Sequence, residues 1–447
     1  MSNFGRATLR ELPATLRLAA PITAGQVGQM LMGVADTIMV GQIGTLPLAA
    51  CSFANSVIMV VAIGGYGVFT AVSVRVSHAH GAGVSDSISR ALHAGMGLAL
   101  AFGVAAAAFF HLAYPLFHYF GQAPGVVEEA RAYTLIVGWS LLPSFAIAVF
   151  RNYLDSQSRP WPGFWIMLGG VLLNVLLNWV LIYGKMGVPA MGLAGAGWAT
   201  LFSRIATVAG LAWFIWRGSL RPAHTLSLGS PLWAEHVAML RLGVPAGLAL
   251  LSEVGAFTVA AILIGHLGAV PLAAHQIAIT CASVTFMFPL GVAMASTVRI
   301  AQANGAGRDN LLRPIAAGSW AVGLAIMAVF AVVLLIANGP IAKAFVRDPA
   351  VISIAASLLV VAGVFQLVDG VQVVGSGVLR GLRDTTGPML ITVAAYWGVA
   401  LPLGTWLTFK AGMGAQGMWT GLALGLGVAA VLLVRRFLNR TAQWLSA

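Results

Sequence analysis

Three acidic residues lie inside long apolar segments of this sequence: Asp36, Glu253 and Asp369. The chain has only 12 Asp and Glu in 447 residues, and the other nine fall near predicted loops or helix ends. A charge at the centre of a bilayer costs about 2.5–3.5 kcal/mol on insertion scales, so it is rarely retained for packing alone. Intramembrane carboxylates of this kind bind protons or cations, and these three are the candidate ion-coupling residues.

Amide side chains accompany the first carboxylate. Gln29 precedes Asp36 by two helical turns, which places both on one helix face. Asn174 and Asn178 follow the i, i+4 spacing in a later apolar segment and also share a face. Because lipid offers no hydrogen-bond partners, buried amides find partners inside the protein. These residues predict a polar network around Asp36. The network could be a proton or cation site, or it could consist of structural hydrogen bonds between helices.

The second half of the sequence holds the other two carboxylates. Glu253 and Asp369 could share Na⁺, a hard cation that prefers oxygen ligands. They could instead hold a proton, because burial and a second carboxylate both favour the neutral form of a carboxyl group. His275 is interpreted as a core residue, with a lining role as the alternative. The candidate residues lining an adjoining cavity are Gln276, Gln372, Met287 and Phe365.

The composition is that of a membrane protein. Hydrophobic residues make up 59% of the chain, charged residues only 8%, and the mean hydropathy is +0.92. A soluble domain carries roughly 25% charged residues, so this chain could not cover a water-facing surface. Long apolar stretches recur along the whole sequence and predict an all-α polytopic protein with the lipid bilayer as its partner.

The net charge of +12 follows membrane topology. With the N-terminus on the cytoplasmic side, 19 of the 24 Lys and Arg fall on that side of the predicted helices. This asymmetry is the positive-inside bias, and it places both termini in the cytoplasm. The basic excess therefore does not predict a nucleic-acid partner.

Twelve transmembrane helices are predicted, six in each half. The N-terminal lobe spans 1–220, a cytoplasmic linker spans 221–235, and the C-terminal lobe spans 236–447. The helices are expected near 15–42, 47–79, 87–118, 127–155, 160–184, 192–217, 236–266, 271–305, 310–337, 349–380, 386–410 and 414–438.

The two halves are repeats. The pattern Gly-x-x-Gly-x-x-Pro-Leu-Ala-Ala at 41–50 recurs at 265–274. No gap is needed to align 17–83 with 241–307, and this alignment pairs Pro21 with Pro245 and Arg75 with Arg299. Because six helices is an even number, both halves insert the same way up, as in transporters built from parallel repeats.

Several motifs are absent from the sequence. No lysine stands in the Gly-x-x-x-x-Gly-Lys-[Ser/Thr] pattern that binds ATP, and there is no His-Glu-x-x-His or Cys-x-x-Cys. The chain is therefore not expected to be an enzyme, to use ATP or to hold a cofactor. An ion gradient is the expected energy source.

Four segments resemble one known family. They are Gly-Val-Ala-Asp-Thr-Ile-Met-Val-Gly at 33–41, Pro-Leu-Ala-Ala at 47–50, Ala-Ala-His-Gln at 273–276 and Leu-Arg-Gly-Leu-Arg-Asp at 379–384. They are similar to the multidrug and toxic compound extrusion (MATE) family, and most of all to its NorM-like bacterial branch. The resemblance implies a V-shaped pair of six-helix lobes. The protein is expected to be a monomer in the bacterial inner membrane. The resemblance also implies export of small organic cations, such as dyes and fluoroquinolones, in exchange for Na⁺ or H⁺.

The resemblance also implies which residues form the sites. The membrane carboxylates of the family correspond to Asp36, Glu253 and Asp369. Phe365, one helical turn before Asp369, stands where a family member has an aromatic residue with a hydroxyl group, and here the hydroxyl is missing. The alternative function is a flippase for lipid-linked oligosaccharides or lipids. A flippase would be expected to carry cationic residues in its cavity, whereas nearly all Arg here lie at helix ends.

Overall fold

The computed structural model describes residues 3–218 and 232–442, and within these ranges every regular element is helical. Most of the predicted linker, 221–231, lies outside the described residues. The α-helices are α1 (Asn3–Gly41), α2 (Thr45–Gly81), α3 (Ser85–Ala113), α4 (Val126–Ser156), α5 (Pro160–Tyr183), α6 (Gly192–Arg217), α7 (Leu232–Gly265), α8 (Ala269–Gly305), α9 (Leu312–Ile336), α10 (Asn338–Phe345), α11 (Pro349–Gly381), α12 (Thr386–Val393), α13 (Leu401–Phe409) and α14 (Gly414–Ala442).

All twelve predicted segments are helical. In the described part of the chain, eleven helical segments are long and apolar enough to cross a membrane. Helix α1, 39 residues long, is outside this set because polar residues such as Gln26, Gln29 and Asp36 interrupt its apolar stretch. The protein is therefore a multi-pass, all-helical membrane protein. The short helix α10 was not predicted, since its eight residues are too few to show a periodic pattern.

The chain divides into two compact units inside helices. One unit is Ala24–Gly247, and the other combines Met1–Thr23 with Leu248–Ala447. The divisions fall within α1 and α7, just after Pro21 and Pro245, and these are equivalent positions of the repeat. The units thus follow the repeat. Each unit contains the start of the helix that belongs to the other half of the sequence.

Ion pairs at repeat-related positions anchor these exchanged helix starts. Arg75 on α2 donates from Nε to Oε1 of Glu235 at 2.7 Å and from Nη2 to Oε2 at 2.5 Å. Arg299 on α8 forms an ion pair with the Glu11 carboxylate and donates to the Glu11 carbonyl at 2.7 Å. Arg299 is the repeat counterpart of Arg75, and the same register, extended towards the N-terminus, pairs Glu11 with Glu235. Such arginine–carboxylate pairs combine charge with fixed geometry.

Glycines at repeat-related positions also let these helix starts pack closely. A Cβ atom at Gly67 would collide with the backbone of Gly247. A Cβ atom at Gly291, the repeat counterpart of Gly67, would collide with Thr23. Small residues that allow backbones to approach are a common basis for helix packing in membranes. Helix α1 begins at Asn3, well before the predicted start near residue 15, and this added part carries Glu11, the partner of Arg299.

A π-helical turn interrupts the segment that joins α12 to α13. It spans Ala394–Ala400 and is followed closely by Pro402. Proline lacks the N–H that would bond four residues back, and its ring crowds the carbonyl at that position. A π turn accommodates such a site by inserting one extra residue, and these turns are frequent at functional sites. The turn carries Tyr396, which is fully buried.

Candidate ion-coupling sites

The first candidate site lies in the unit Ala24–Gly247, where α1 meets α5. Asn178 Nδ2 donates to Asp36 Oδ1 at 2.5 Å and to Asn174 Oδ1 at 3.2 Å. Both asparagines are completely buried, and Asp36 is half-buried. The i, i+4 spacing places the two asparagine amides on one face of α5. Asn178 therefore contacts the Asp36 carboxylate, and Asn174 contacts the Asn178 amide. The structure therefore brings together three of the predicted residues.

The fourth predicted member of this network, Gln29, is not joined to it. Its side chain is exposed, and among the described residues it makes no hydrogen bond. Gln26, one turn earlier on α1, instead accepts a hydrogen bond from Arg151 on α4. Arg151 also lies 3.7 Å from Asp155, one turn along the same helix. The hydrogen bond from Arg151 joins α1 to α4 about three turns before Asp36. Sequence spacing alone had not linked Arg151 to α1.

A second layer of polar residues, not predicted, surrounds Asp36. Tyr133 Oη donates to Asn55 Oδ1 at 3.0 Å, and both Tyr133 and Cys51 lie within electrostatic range of Asp36. Arg204 on α6 is also within range and is held by a 2.7 Å hydrogen bond to Ser140 Oγ. A carboxylate with an amide donor, a nearby phenol and a more distant cation can accept and release a proton without losing all its partners.

The second candidate site lies in the other unit, where α7, α11 and the π turn meet. Asp369 is only 3% exposed and lies within electrostatic range of Glu253. Tyr396 lies beside Glu253 and interacts with both carboxylates. The structure thus brings together the two predicted acidic residues and adds a phenol. The sequence signal for the phenol was a tyrosine shortly before a proline in an apolar segment.

Oxygen atoms without partners occur at this second site, as Asn178 Oδ1 does at the first. Asp369 Oδ1, Gln366 Oε1 and Gln372 Oε1 are buried, and none has a hydrogen-bond partner in the residues that the structure describes. The Gln366 amide nitrogen donates to Thr285 Oγ1, which leaves its carbonyl oxygen available. Buried polar atoms are normally paired, so these three oxygens are available to a ligand. Carboxylate, amide and phenol oxygens fit Na⁺ or a shared proton.

A cluster of three or more His, Cys, Asp or Glu that could hold a metal is not found in residues 3–218 and 232–442. Transition-metal sites such as zinc need about four nitrogen or sulfur ligands.

Phe365 belongs to the packed core beside this site. It is buried, and its ring lies edge-on to Phe257 and Trp419 at centroid distances of 6.0 and 5.7 Å. Tyr396 also packs against Phe257, at 6.0 Å. The hydroxyl group that is missing at Phe365 is therefore present nearby, on a residue from a different helical segment.

The remaining candidates differ in their surroundings. Gln372 is buried, Met287 is half-buried and Gln276 is exposed. His275 accepts a 3.1 Å hydrogen bond from Trp419 Nε1 and is almost fully buried. This pairing confirms the interpretation of His275 as a core residue.

Comparison with known proteins gives a family match over most of the chain. A family model described as MatE matches residues 21–180 and again residues 245–406. The two matches begin at Pro21 and Pro245, which are equivalent positions of the internal repeat.

Curated relatives align over nearly the full length. The chain is 36% identical to the multidrug resistance protein NorM of Burkholderia vietnamiensis, over 97% of this chain and 95% of that protein. It is 37% identical to the probable multidrug resistance protein NorM of Xanthomonas campestris pv. campestris, over 98% and 96%.

Solved structures share the fold. The eukaryotic MATE transporter AtDTX14 superposes with a TM-score of 0.86 at 20% identity, over 97% of this chain and all of that one. The crystal structure of MATE in the bent conformation superposes with a TM-score of 0.90 at 21% identity, over 99% and 98%.

Proposed function

Because this chain belongs to the MatE family, we propose that it is a multidrug efflux transporter, which exchanges organic cations for Na⁺ or H⁺ across the bacterial inner membrane. The family match and the names of the NorM relatives support drug export. The observation that carries the ion exchange is the pair of buried carboxylate sites, at Asp36 in one unit and at Glu253 and Asp369 in the other. We further propose a monomer with both termini in the cytoplasm, without enzymatic activity, ATP, cofactor or nucleic-acid partner.

The carboxylates would couple the two flows by competition. Loading Glu253 and Asp369 with Na⁺ or a proton neutralises the charge that attracts an organic cation. A cation bound nearby is then released, and departure of the ion restores the attraction. Each elementary charge that moves down a potential of 100 mV contributes about 2.3 kcal/mol. An apolar, aromatic surrounding such as that at Phe257 and Phe365 would select weakly among drugs.

The chemistry of the two sites favours a different ion at each. Unpaired carboxylate and amide oxygens around Asp369 support Na⁺ there. The amide donor that already occupies Asp36 Oδ1 supports proton exchange at the first site. The acidic character of both sites does not favour the alternative of a flippase for anionic lipid-linked oligosaccharides.

Ethidium transport in reconstituted vesicles would test this function. An imposed Na⁺ gradient and an imposed pH gradient would each be applied to the wild-type protein and to the variants Asp36→Asn, Glu253→Gln and Asp369→Asn. We expect loss of Na⁺-driven transport in Glu253→Gln and Asp369→Asn, and loss of pH-driven transport in Asp36→Asn. Glu129→Gln, which changes an exposed acidic residue at the start of α4, is the matched control. Wild-type transport rates in all three variants would overturn the proposal.

A further inference from the structure

A basic cavity lies at the end of α14, and its lining residues belong to neither carboxylate site. Its volume is about 470 Å³. It is lined by Ile391, Leu432, Arg435, Arg436, Asn439 and Arg440. Three guanidinium groups thus surround one open space.

The positive charge of this cavity is only partly neutralised. Asp384 Oδ2 accepts a 2.7 Å hydrogen bond from Arg436 Nε and lies 3.4 Å from Arg440 Nε. Arg440 is 55% exposed, so this second pair is weak. Arg435 is exposed and has no side-chain partner among the residues that the structure describes. One carboxylate therefore faces three arginines, which leaves two positive charges for an outside ligand.

Arg436 is held in a fixed position for such a ligand. Asp384 Oδ1 accepts from Arg436 Nη2 at 3.1 Å and also from the backbone N–H of Gly387. A Cβ atom at Gly387 would collide with the Arg436 guanidinium, so this glycine leaves the space that the arginine fills. A planar guanidinium held in this way presents its remaining N–H groups in the fork that matches phosphate oxygens.

Apolar side chains form the other wall of the cavity. Leu432, one turn before Arg436 on α14, is 40% exposed. Ile391 on α12 lines the same space. A ligand that fills the cavity therefore meets arginines at one end and hydrocarbon at the other. A free phosphate ion would use only the arginines.

We propose that this cavity binds the phosphate headgroup of an anionic phospholipid, with an acyl chain along Leu432 and Ile391. The positive-inside bias places the end of α14 at the cytoplasmic leaflet. Basic pockets between helices on that side are suited to anionic headgroups. The charge excess selects an anionic lipid over a zwitterionic one, and the apolar wall selects a lipid over a soluble anion.

The test uses the purified, delipidated full-length protein in detergent, with dioleoyl phosphatidylglycerol added and bound lipid counted by native mass spectrometry. We expect Arg435→Gln and Arg440→Gln each to weaken binding about fivefold, the contribution of one arginine near an anionic headgroup. Arg308→Gln, which removes an exposed charge in the turn after α8, should change binding less than twofold. Dioleoyl phosphatidylcholine should bind much more weakly than phosphatidylglycerol.

Two results would overturn the proposal. The first is equal binding of both lipids, or unchanged binding in Arg435→Gln and Arg440→Gln. The second is that inorganic phosphate binds with the same dependence on these arginines while the lipid gains nothing from its acyl chains, which would make this a site for a soluble anion. Because Arg435 is exposed, its substitution should leave the fold intact, and size-exclusion chromatography would verify this. Arg435→Lys should retain part of the affinity.

Discussion

Glu235, at the start of α7, accepts two hydrogen bonds from Arg75 on α2, across 160 residues of sequence. The same arrangement occurs at Glu11 and Arg299, their counterparts in the repeat. Both pairs tie a helix start to the opposite half of the sequence. Glu11 lies on the same helix as Asp36, and Glu235 lies on the same helix as Glu253. The anchoring pairs are therefore at the helix starts, several turns before the carboxylates proposed to bind ions.

Breaking the first pair should lower stability before it affects ion binding. Glu235→Gln leaves the partly buried Arg75 without its charged partner, and hydrogen bonds to charged groups are worth about 1.5–3 kcal/mol each. Thermal unfolding of the detergent-solubilised protein should begin at a lower temperature than in the wild type. The repeat-related Glu11→Gln should behave alike, whereas Glu129→Gln should not. The exchanged double variant Arg75→Glu with Glu235→Arg should regain stability, and failure of both single variants to destabilise would contradict an anchoring role.

Removing the amide donor at Asp36 should impair transport driven by a pH gradient. Asn178→Ala deletes the 2.5 Å hydrogen bond and leaves a buried cavity, so Asp36 loses the group that holds it. We expect a decrease in ethidium transport of about tenfold, the effect of losing one charge-assisted hydrogen bond, with little change in the amount of protein in the membrane. Asn310→Ala, at an exposed position before α9, is the matched control. Normal pH-driven transport by Asn178→Ala would show that the carboxylate works without its amide.

Removing the phenol beside Glu253 should weaken the response to Na⁺. Tyr396→Phe keeps the ring contact with Phe257 and deletes only the hydroxyl oxygen. The Na⁺ concentration for half-maximal transport should rise about tenfold, the effect of losing about 1.4 kcal/mol of ion binding. Tyr119→Phe removes a hydroxyl group at an 86% exposed position and should leave transport unchanged. An unaltered Na⁺ dependence in Tyr396→Phe would exclude the phenol from the site.

Converting the π turn to a regular α-helix should also weaken the response of transport to Na⁺. Pro402→Ala restores a backbone N–H and removes the ring that crowds the preceding turn, so the segment can become a regular α-helix. Loss of the extra residue would rotate Tyr396 by about 100° relative to α13. We expect weaker Na⁺-driven transport at normal stability. Pro124→Ala, in an exposed loop, is the control. Wild-type Na⁺ dependence in Pro402→Ala would show that the π turn does not contribute to the Na⁺ site.

Much of the fold could be predicted from the sequence because the bilayer simplifies the problem. Twelve apolar segments became twelve helical segments, and the cost of a buried carboxylate singled out Asp36, Glu253 and Asp369. Asn174 and Asn178 could be assigned to Asp36 since buried amides must find partners within the protein. These inferences depend on local spacing and on the absence of water.

Contacts that depend on three-dimensional packing were not predicted. Tyr396, which lies near Glu253, stands on a π turn, whereas a periodic pattern assumes about 3.6 residues per turn throughout. Gln29 shares a helix face with Asp36, yet it remains exposed because a shared face does not decide which residue meets the neighbouring helix. The exchange of helix starts was also missed, since apolar periodicity says nothing about which half a helix packs against.

That exchange has a consequence for the origin of the chain. Each of these ion pairs joins the two halves of the sequence. A single six-helix half, made alone, would therefore carry the glutamate of its first helix and the arginine of its second helix without their partners. Two identical copies could supply these partners to each other. The glutamate of each copy would pair with the arginine of the other copy, as Glu11 pairs with Arg299 and Glu235 with Arg75 in this chain. Fusing two such genes would preserve both pairs and make their formation independent of protein concentration. The present chain is what such a fused homodimer would become.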